Sequence, residues 1–259
     1  MTDLYSPNRS GKPPQIIPAA TVIIFRRNPA GGPDQILMVE RSAAMRFAGG
    51  AAVFPGGRVD QADLALARGI GNGLDVAEAG ARIAAIRETL EETGLLLATS
   101  QPPSLRQAQA ARAACAGPGG FSGALDDLGL SLALDRLIPF ARWLPMHHAD
   151  RAFDTRFFLA DLGTGMVDLE INATENRHLF WASAAEVLEL ADEGKLSIIF
   201  PTRRNLERLN QFDAFSDCAD HARAVPVRTI TPAFETINGV RWATIPDDVG
   251  YPVTRQAVG

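Results

Sequence analysis

The sequence predicts an α/β (α+β) fold, and three observations predict it. Short apolar runs, Ala19 to Arg26, Gln35 to Glu40, Ile138 to Leu144 and Phe153 to Ala160, read as strands. Between them lie stretches with helical apolar period, Asp75 to Thr93 foremost. Strands and helices are intermixed along the chain, and no internal repeat breaks the pattern. The 259 residues, 46% hydrophobic and 21% charged, suffice for a sizeable core in one large domain or two small ones.

The elements follow in chain order. Residues 1–15 are polar and proline-rich and are expected to form a flexible tail. The first two strands flank Asn28 to Asp34, which is dense in Gly and Pro and therefore a turn. A glycine-rich passage, Phe47 to Gly57, comes next. In the helix Asp75 to Thr93, Ile83, Ile86 and Leu90 stand at i, i+3 and i+7, and Gly94 occupies the C-cap position. Leu95 to Ala98 is expected as a short strand. Residues 101–133, rich in Ala, Gly, Gln and Arg, are expected as a helical elaboration with one helix near 103–115 and another near 123–131. Ser183 with Glu186 three residues on forms a capping box that starts a helix. A further helix covers Thr202 to Asn210. Asn238-Gly239 between two alternating runs predicts a β-hairpin, placed in a C-terminal extension over 213–259.

Composition removes several function classes. A net charge of −5 with no basic run is a poor match to a nucleic-acid backbone. No stretch approaches the ~20 apolar residues that span a bilayer. The N-terminus carries no apolar signal region, so no membrane association and a cytoplasmic location are expected. The two cysteines, Cys115 and Cys218, cannot build a disulfide framework and are expected as reduced thiols.

The chemistry concentrates in Arg87-Glu88-Thr89-Leu90-Glu91-Glu92-Thr93-Gly94-Leu95. Glu88, Glu91 and Glu92 stand at i, i+3 and i+4 and project from one helix face. A salt-bridged solvent face would alternate its charges, whereas carboxylates gathered this way suit a hard, oxygen-seeking cation. Arg87, four residues before Glu91, can hold that carboxylate. The competing reading, a solvated helix surface, loses ground to the glycine loop before this helix and the glycine after it. His147-His148 are adjacent and cannot share one metal from a helix or strand, and Asp247-Asp248 read as turn residues.

The string R-E-x-x-E-E-x-G-L resembles the second half of the Nudix box, G-x5-E-x7-R-E-U-x-E-E-x-G-U, and Pro55-Gly56-Gly57-Arg58-Val59-Asp60 resembles its start. With Gly57 as leading glycine, Asp63 stands where the family has Glu, and residues 64–86 replace the seven-residue spacer. Thr89 replaces an aliphatic residue. Ile36 to Gly57 resembles the signature of coenzyme A diphosphatases, L-L-T-x2-R-S/A-x3-R-x3-G-x3-F-P-G-G, with Arg41, Ser42, Arg46, Gly50, Phe54, Pro55, Gly56 and Gly57 in register and Met38 for the Thr. The interrupted box, with Phe153 to Phe158 and Pro201 to Leu209, is similar to a peroxisomal acyl-CoA diphosphatase subgroup, although the C-terminal residues Ala257-Val258-Gly259 are not a peroxisomal address.

The resemblance implies a Nudix-type α/β/α sandwich with a mixed sheet over 16–212, a helical insertion near 64–81 outside the metal site, and hydrolysis of a nucleoside diphosphate derivative. It implies Mg²⁺ or Mn²⁺ on Glu88, Glu91 and Glu92, a backbone carbonyl of Gly56 or Gly57 beside them, and Arg87 as their orienting residue. Arg41 and Arg46 would bind the phosphates of a CoA-like substrate, since arginine forks onto phosphate oxygens. Glu175 is the candidate general base, with Glu170 competing. Substrates to weigh are CoA or acyl-CoA, then ADP-ribose or a dinucleotide; a ligand-sensing domain without catalysis is the rival class, and a homodimer stays open.

Overall fold

The computed structural model describes residues 13–42, 50–71, 73–146, 151–163 and 176–258. Its strands are β1 (Gln15–Arg26), β2 (Gln35–Arg41), β3 (Ala52–Val53), β4 (Gly56–Arg58), β5 (Ile138–Trp143), β6 (Arg151–Asp161), β7 (Asn176–Ala182), β8 (Thr229–Ile230), β9 (Ala233–Ile237), β10 (Val240–Thr244) and β11 (Arg255–Ala257). Its helices are α1 (Gln61–Ile70), α2 (Val76–Thr93), α3 (Leu105–Cys115), α4 (Gly120–Asp127), α5 (Ala184–Asp192), α6 (Phe200–Leu209) and α7 (Phe215–Ala224). Among the described residues no helix is long and apolar enough to cross a membrane.

A mixed sheet in the order β3-β2-β1-β6-β5-β8 forms the middle layer, with β4 paired to β1 and β7 to β2. β1 and β6 run parallel from Gln15↔Arg151 to Phe25↔Asp161. Strand alternation divides the interior in two. Val22, Ile24, Leu37, Val39, Phe158 and Ala160 face α2, α3 and α4. Their neighbours Ile23, Phe25, Ile36, Met38, Phe157 and Leu159 face the second core with Val187, Leu206 and Cys218 of α5, α6 and α7. A sheet covered on both faces needs apolar residues at every position, which is why these strands read as unbroken apolar runs.

The C-terminal hairpin is present. Asn238 and Gly239 have φ of 51° and 80° between β9 and β10, as a two-residue loop matched to strand twist requires. Residues beyond 212 also enter the second core: Trp143 Nε1 donates to the Tyr251 hydroxyl (3.0 Å), which donates to Asn205 Oδ1 (2.6 Å).

Several expectations shift. Leu95 to Ala98 is not a strand. Leu95, Leu96 and Leu97 are buried in the first core without pairing to any strand, Ala98 turns the chain with φ of 50°, and only an isolated Thr99↔Leu132 bridge follows. The second helix of the elaboration occupies Gly120–Asp127 rather than 123–131, ending at Leu128 before Gly129, whose φ is 60°. The stretch 64–81 forms the body of α1, a turn, and the first turns of α2.

Candidate active site

Two backbone devices place α2. Asp75 caps its start by accepting from the Glu78 amide (2.9 Å), and Gly94, at φ 79°, returns its N–H to Leu90 O. Ile83, Ile86 and Leu90 lock one face into the first core. Thr89 is fully buried and satisfies its hydroxyl on Ala85 O at 2.7 Å, so it fills the volume of an aliphatic residue without a lone polar group. The opposite face carries Arg87, Glu88, Glu91 and Glu92 toward the Gly56-Gly57 turn.

That turn needs both glycines because of close approach. A Cβ on Gly56 would lie 2.3 Å from Ala20 O, and one on Gly57 2.2 Å from the Glu88 carboxyl carbon. The Gly57 position is thus a cradle for the Glu88 carboxylate. The Gly56 amide donates to Glu92 Oε2 at 3.0 Å, fixing the largely buried Glu92 under the same turn.

Arg87 organises the rest. Its Nε donates to Asp63 Oδ1 (3.0 Å) and its Nη2 to Asp63 Oδ2 (2.9 Å) and to Arg58 O (3.0 Å). Its Nη1 reaches Glu88 Oε1 at 2.9 Å and Glu91 Oε2 at 3.2 Å. Asp63, on the first turn of α1, also accepts the Asp60 amide at 2.8 Å. The residue standing at the family's Glu position is therefore the forked anchor of the arginine. From α3, Arg112 donates Nε (3.1 Å) and Nη2 (2.8 Å) to the carbonyl of Glu91.

Electrostatics follow from burial. Burial raises the Glu88 carboxyl to about 7, with Glu91 adding repulsion and Arg87 opposing both. Burial likewise raises Glu91 against the pull of Arg87. Burial works against the Arg87 charge, but its hydrogen bond to Asp63 and the charges of Glu88, Asp63 and Glu91 prevail and raise its pKa. Burial and the nearby Glu91 lift the Cys115 thiol to about 11, which leaves it unreactive at neutral pH.

A hard divalent cation fits this donor set. The donors are all carboxylate oxygens, burial raises two of their pKa values, and the Gly57 cradle keeps Glu88 at the turn. Among the described residues no three His, Cys, Asp or Glu side chains already form a ligand cluster. Arg87 spans Glu88 and Glu91, and loading an ion there calls for rotation of the partly exposed Glu91.

Of the residues singled out in sequence, Arg87, Glu88, Glu91, Glu92, Gly56 and Gly57 come together here. Arg41 does not join them. It ends β2, bonded through its amide to Ala51 O at 3.0 Å, and its Nε is buried with no hydrogen-bond partner among the described residues. Arg46, Glu170, Glu175 and His147-His148 lie outside the described residues. The clamping role of Asp63 was hidden by its Asp-for-Glu exchange, although the five-residue spacing from Gly57 marks it. No pattern in the sequence marks Arg112.

A carboxylate helix capped by glycine lies under a Gly-Gly turn on a sandwiched mixed sheet, the arrangement that the Nudix resemblance implies. Residues 17–110, a little over a third of the chain, match the family model of the NUDIX domain. The curated relative "Putative nudix hydrolase 7" of Caenorhabditis elegans is 24% identical over 206 residues, covering 76% of this chain and 64% of its own. The chain thus spans less than two thirds of that relative's length. A NUDIX hydrolase from Alicyclobacillus acidocaldarius shares the fold with a TM-score of 0.68 and 26% identity, over 80% of this chain and 96% of its own.

Proposed function

We propose that this chain is a divalent-metal-dependent pyrophosphohydrolase that cleaves a nucleoside diphosphate derivative, CoA or acyl-CoA in the first place, to 3′,5′-ADP and (acyl-)phosphopantetheine. The observation that carries the hydrolase reading is the clamp of Arg87 on Asp63, Glu88 and Glu91 beside the Gly57 cradle. It preorganises carboxylates at one turn, which a purely ligand-sensing domain would not need.

In the reaction, water attacks one phosphorus in line with the departing phosphate oxygen. When bound at Glu88, Glu91 and Glu92, Mg²⁺ or Mn²⁺ supplies charge neutralisation and a more acidic water. Arg87 holds Glu88 and Glu91 in register and is itself held by Asp63. The Gly56 amide keeps Glu92 turned to the same point. Glu175 is proposed as the base that takes the proton from the attacking water. The CoA preference rests on the Arg41-Ser42 and Arg46 signature, and the Arg41 Nε, buried without a hydrogen-bond partner among the described residues, supports a role in binding an anion.

A panel of CoA, acyl-CoA, ADP-ribose and dinucleotides, incubated with Mg²⁺ or Mn²⁺ and resolved by mass, tests this. Release of 3′,5′-ADP from CoA is expected. Cleavage of ADP-ribose or a dinucleotide alone would move the substrate assignment, and binding without cleavage of any would make the chain a sensor.

A further inference from the structure

Besides the carboxylate face there is a cavity of about 350 Å³ at the N-terminal ends of β1 and β6. Arg58 and Arg151 stand on its walls, Gln15 and Gln61 add amide donors, and Ile17 gives it an apolar side. Neither arginine has an ion pair among the described residues, and both are exposed. Arg151 begins β6 opposite Gln15, and Arg58 ends β4 opposite Ala19, so adjoining strand ends aim both guanidinium groups at one hollow. The one acid among the described residues of the wall, Asp60, is already drawn toward Arg87 Nη2, 3.7 Å away.

The cavity adjoins the site described above. Arg58 belongs to both: its carbonyl receives Arg87 Nη2 while its side chain lines the hollow. Asp60 likewise touches both. Two arginines with amide donors and an apolar wall are the chemistry of a phosphomonoester carried on a sugar. Resting on the hydrolase reading, we propose that this cavity binds a second phosphate of the substrate, a monoester on the ribose of the nucleotide whose diphosphate lies at Glu88, Glu91 and Glu92.

The test is calorimetric titration of the full chain, with chelator present, using adenosine 3′,5′-bisphosphate, 5′-AMP and inorganic phosphate as probes. Wild-type protein is expected to bind the bisphosphate at least about tenfold more tightly than 5′-AMP, the scale of one charge-assisted arginine contact. In Arg151→Ala and in Arg58→Ala that ratio is expected to fall toward one. Inorganic phosphate competing as well as the bisphosphate would overturn the proposal, because the site would then take a free anion and not a nucleotide. An unchanged ratio in Arg151→Ala would also overturn it, and circular dichroism shows whether that variant is folded. If the substrate panel shows no hydrolysis while the ratio behaves as expected, the hydrolase reading fails and the cavity stands; hydrolysis with an unchanged ratio is the converse.

Discussion

Asp63 shows how one buried residue controls several partly exposed ones. Its carboxylate takes two of the five N–H bonds of Arg87, and the remaining ones hold Arg58, Glu88 and Glu91. Asp63→Ala is therefore expected to cost ~3–5 kcal/mol of stability, the usual penalty for stranding one member of a buried pair, and to lower kcat as Glu88 and Glu91 lose register. Urea unfolding and turnover on the same sample measure both; an unaltered midpoint would show that the clamp is not structural. A Glu91→Gln, Glu92→Gln double variant keeps side-chain shape but removes charge from two proposed metal ligands. Loss of turnover with an intact circular dichroism spectrum is expected, and near-wild-type rate in Mg²⁺ would refute the metal assignment. Gly57→Ala should displace Glu88, since the new Cβ would lie 2.2 Å from its carboxyl carbon. Weaker Mn²⁺ binding, read by electron paramagnetic resonance, is the expected result.

At the scale of elements, α3 reaches α2 through Arg112, whose two donors converge on the Glu91 carbonyl in the last turn. Arg112→Ala is expected to cost about 1–3 kcal/mol, with Arg112→Lys recovering part of it. An identical unfolding midpoint in the alanine variant would mean that the elaboration packs beside α2 without fastening it. Replacing Ala67 to Leu74 by a short linker removes the buried Ala67 but spares Asp63, one turn earlier. Lower stability with nearly unchanged metal affinity is expected, and a folded deletion variant that fails to bind metal would show that this stretch supplies ligands. These elements were legible to different degrees. α2 and the hairpin at Asn238-Gly239 declare themselves because cap, period and turn chemistry agree. The α5 capping box at Ser183 and Glu186 is equally local. Leu95 to Ala98 misleads because an apolar run says that a segment is buried, not that it is paired. β7 and α7 were not anticipated: β7 is recognised by its pairing with β2, and α7 starts at Ala214 without a side-chain cap. The carboxylate face was readable from spacing, whereas Arg112 becomes relevant only once α3 folds against α2.

For the whole molecule, the seam between α6, α7 and the C-terminal segment carries a pH dependence. Arg208 Nε approaches His221 Nε2 at 3.4 Å, an arrangement that needs a neutral ring, with Phe212 and Gly250 packed around it. Burial, and then the Arg208 charge, lower the His221 pKa below its ordinary value. The folded state thus binds this proton less readily than the unfolded chain, so the stabilisation is complete above the ordinary histidine pKa and is lost as pH falls through and below it. The raised Glu88 and Glu91 carboxyls act in the opposite sense but are common to wild type and His221→Gln, so relative to that variant the wild-type melting temperature is expected to fall on going from pH 7.5 to pH 5.5; an equal pH response in both would remove His221 as a source. The parallel pairing of β1 with β6 sets a different condition, on the order in which the chain is made. The two strands lie about half the chain apart, and Ala19 to Phe25 find their parallel neighbours only when residues 155–161 exist. Translation finishes the entire carboxylate helix while β1 still has an open, apolar edge, a template for mispairing between nascent chains. Long-range closure of this kind also slows folding. A fragment ending at residue 110 would possess every glutamate proposed to hold the metal and the whole stretch that matches the family model, yet its first strand would lack its parallel partner. Such a fragment is expected to aggregate on expression, because the strand that completes the scaffold is encoded well after the chemistry it supports.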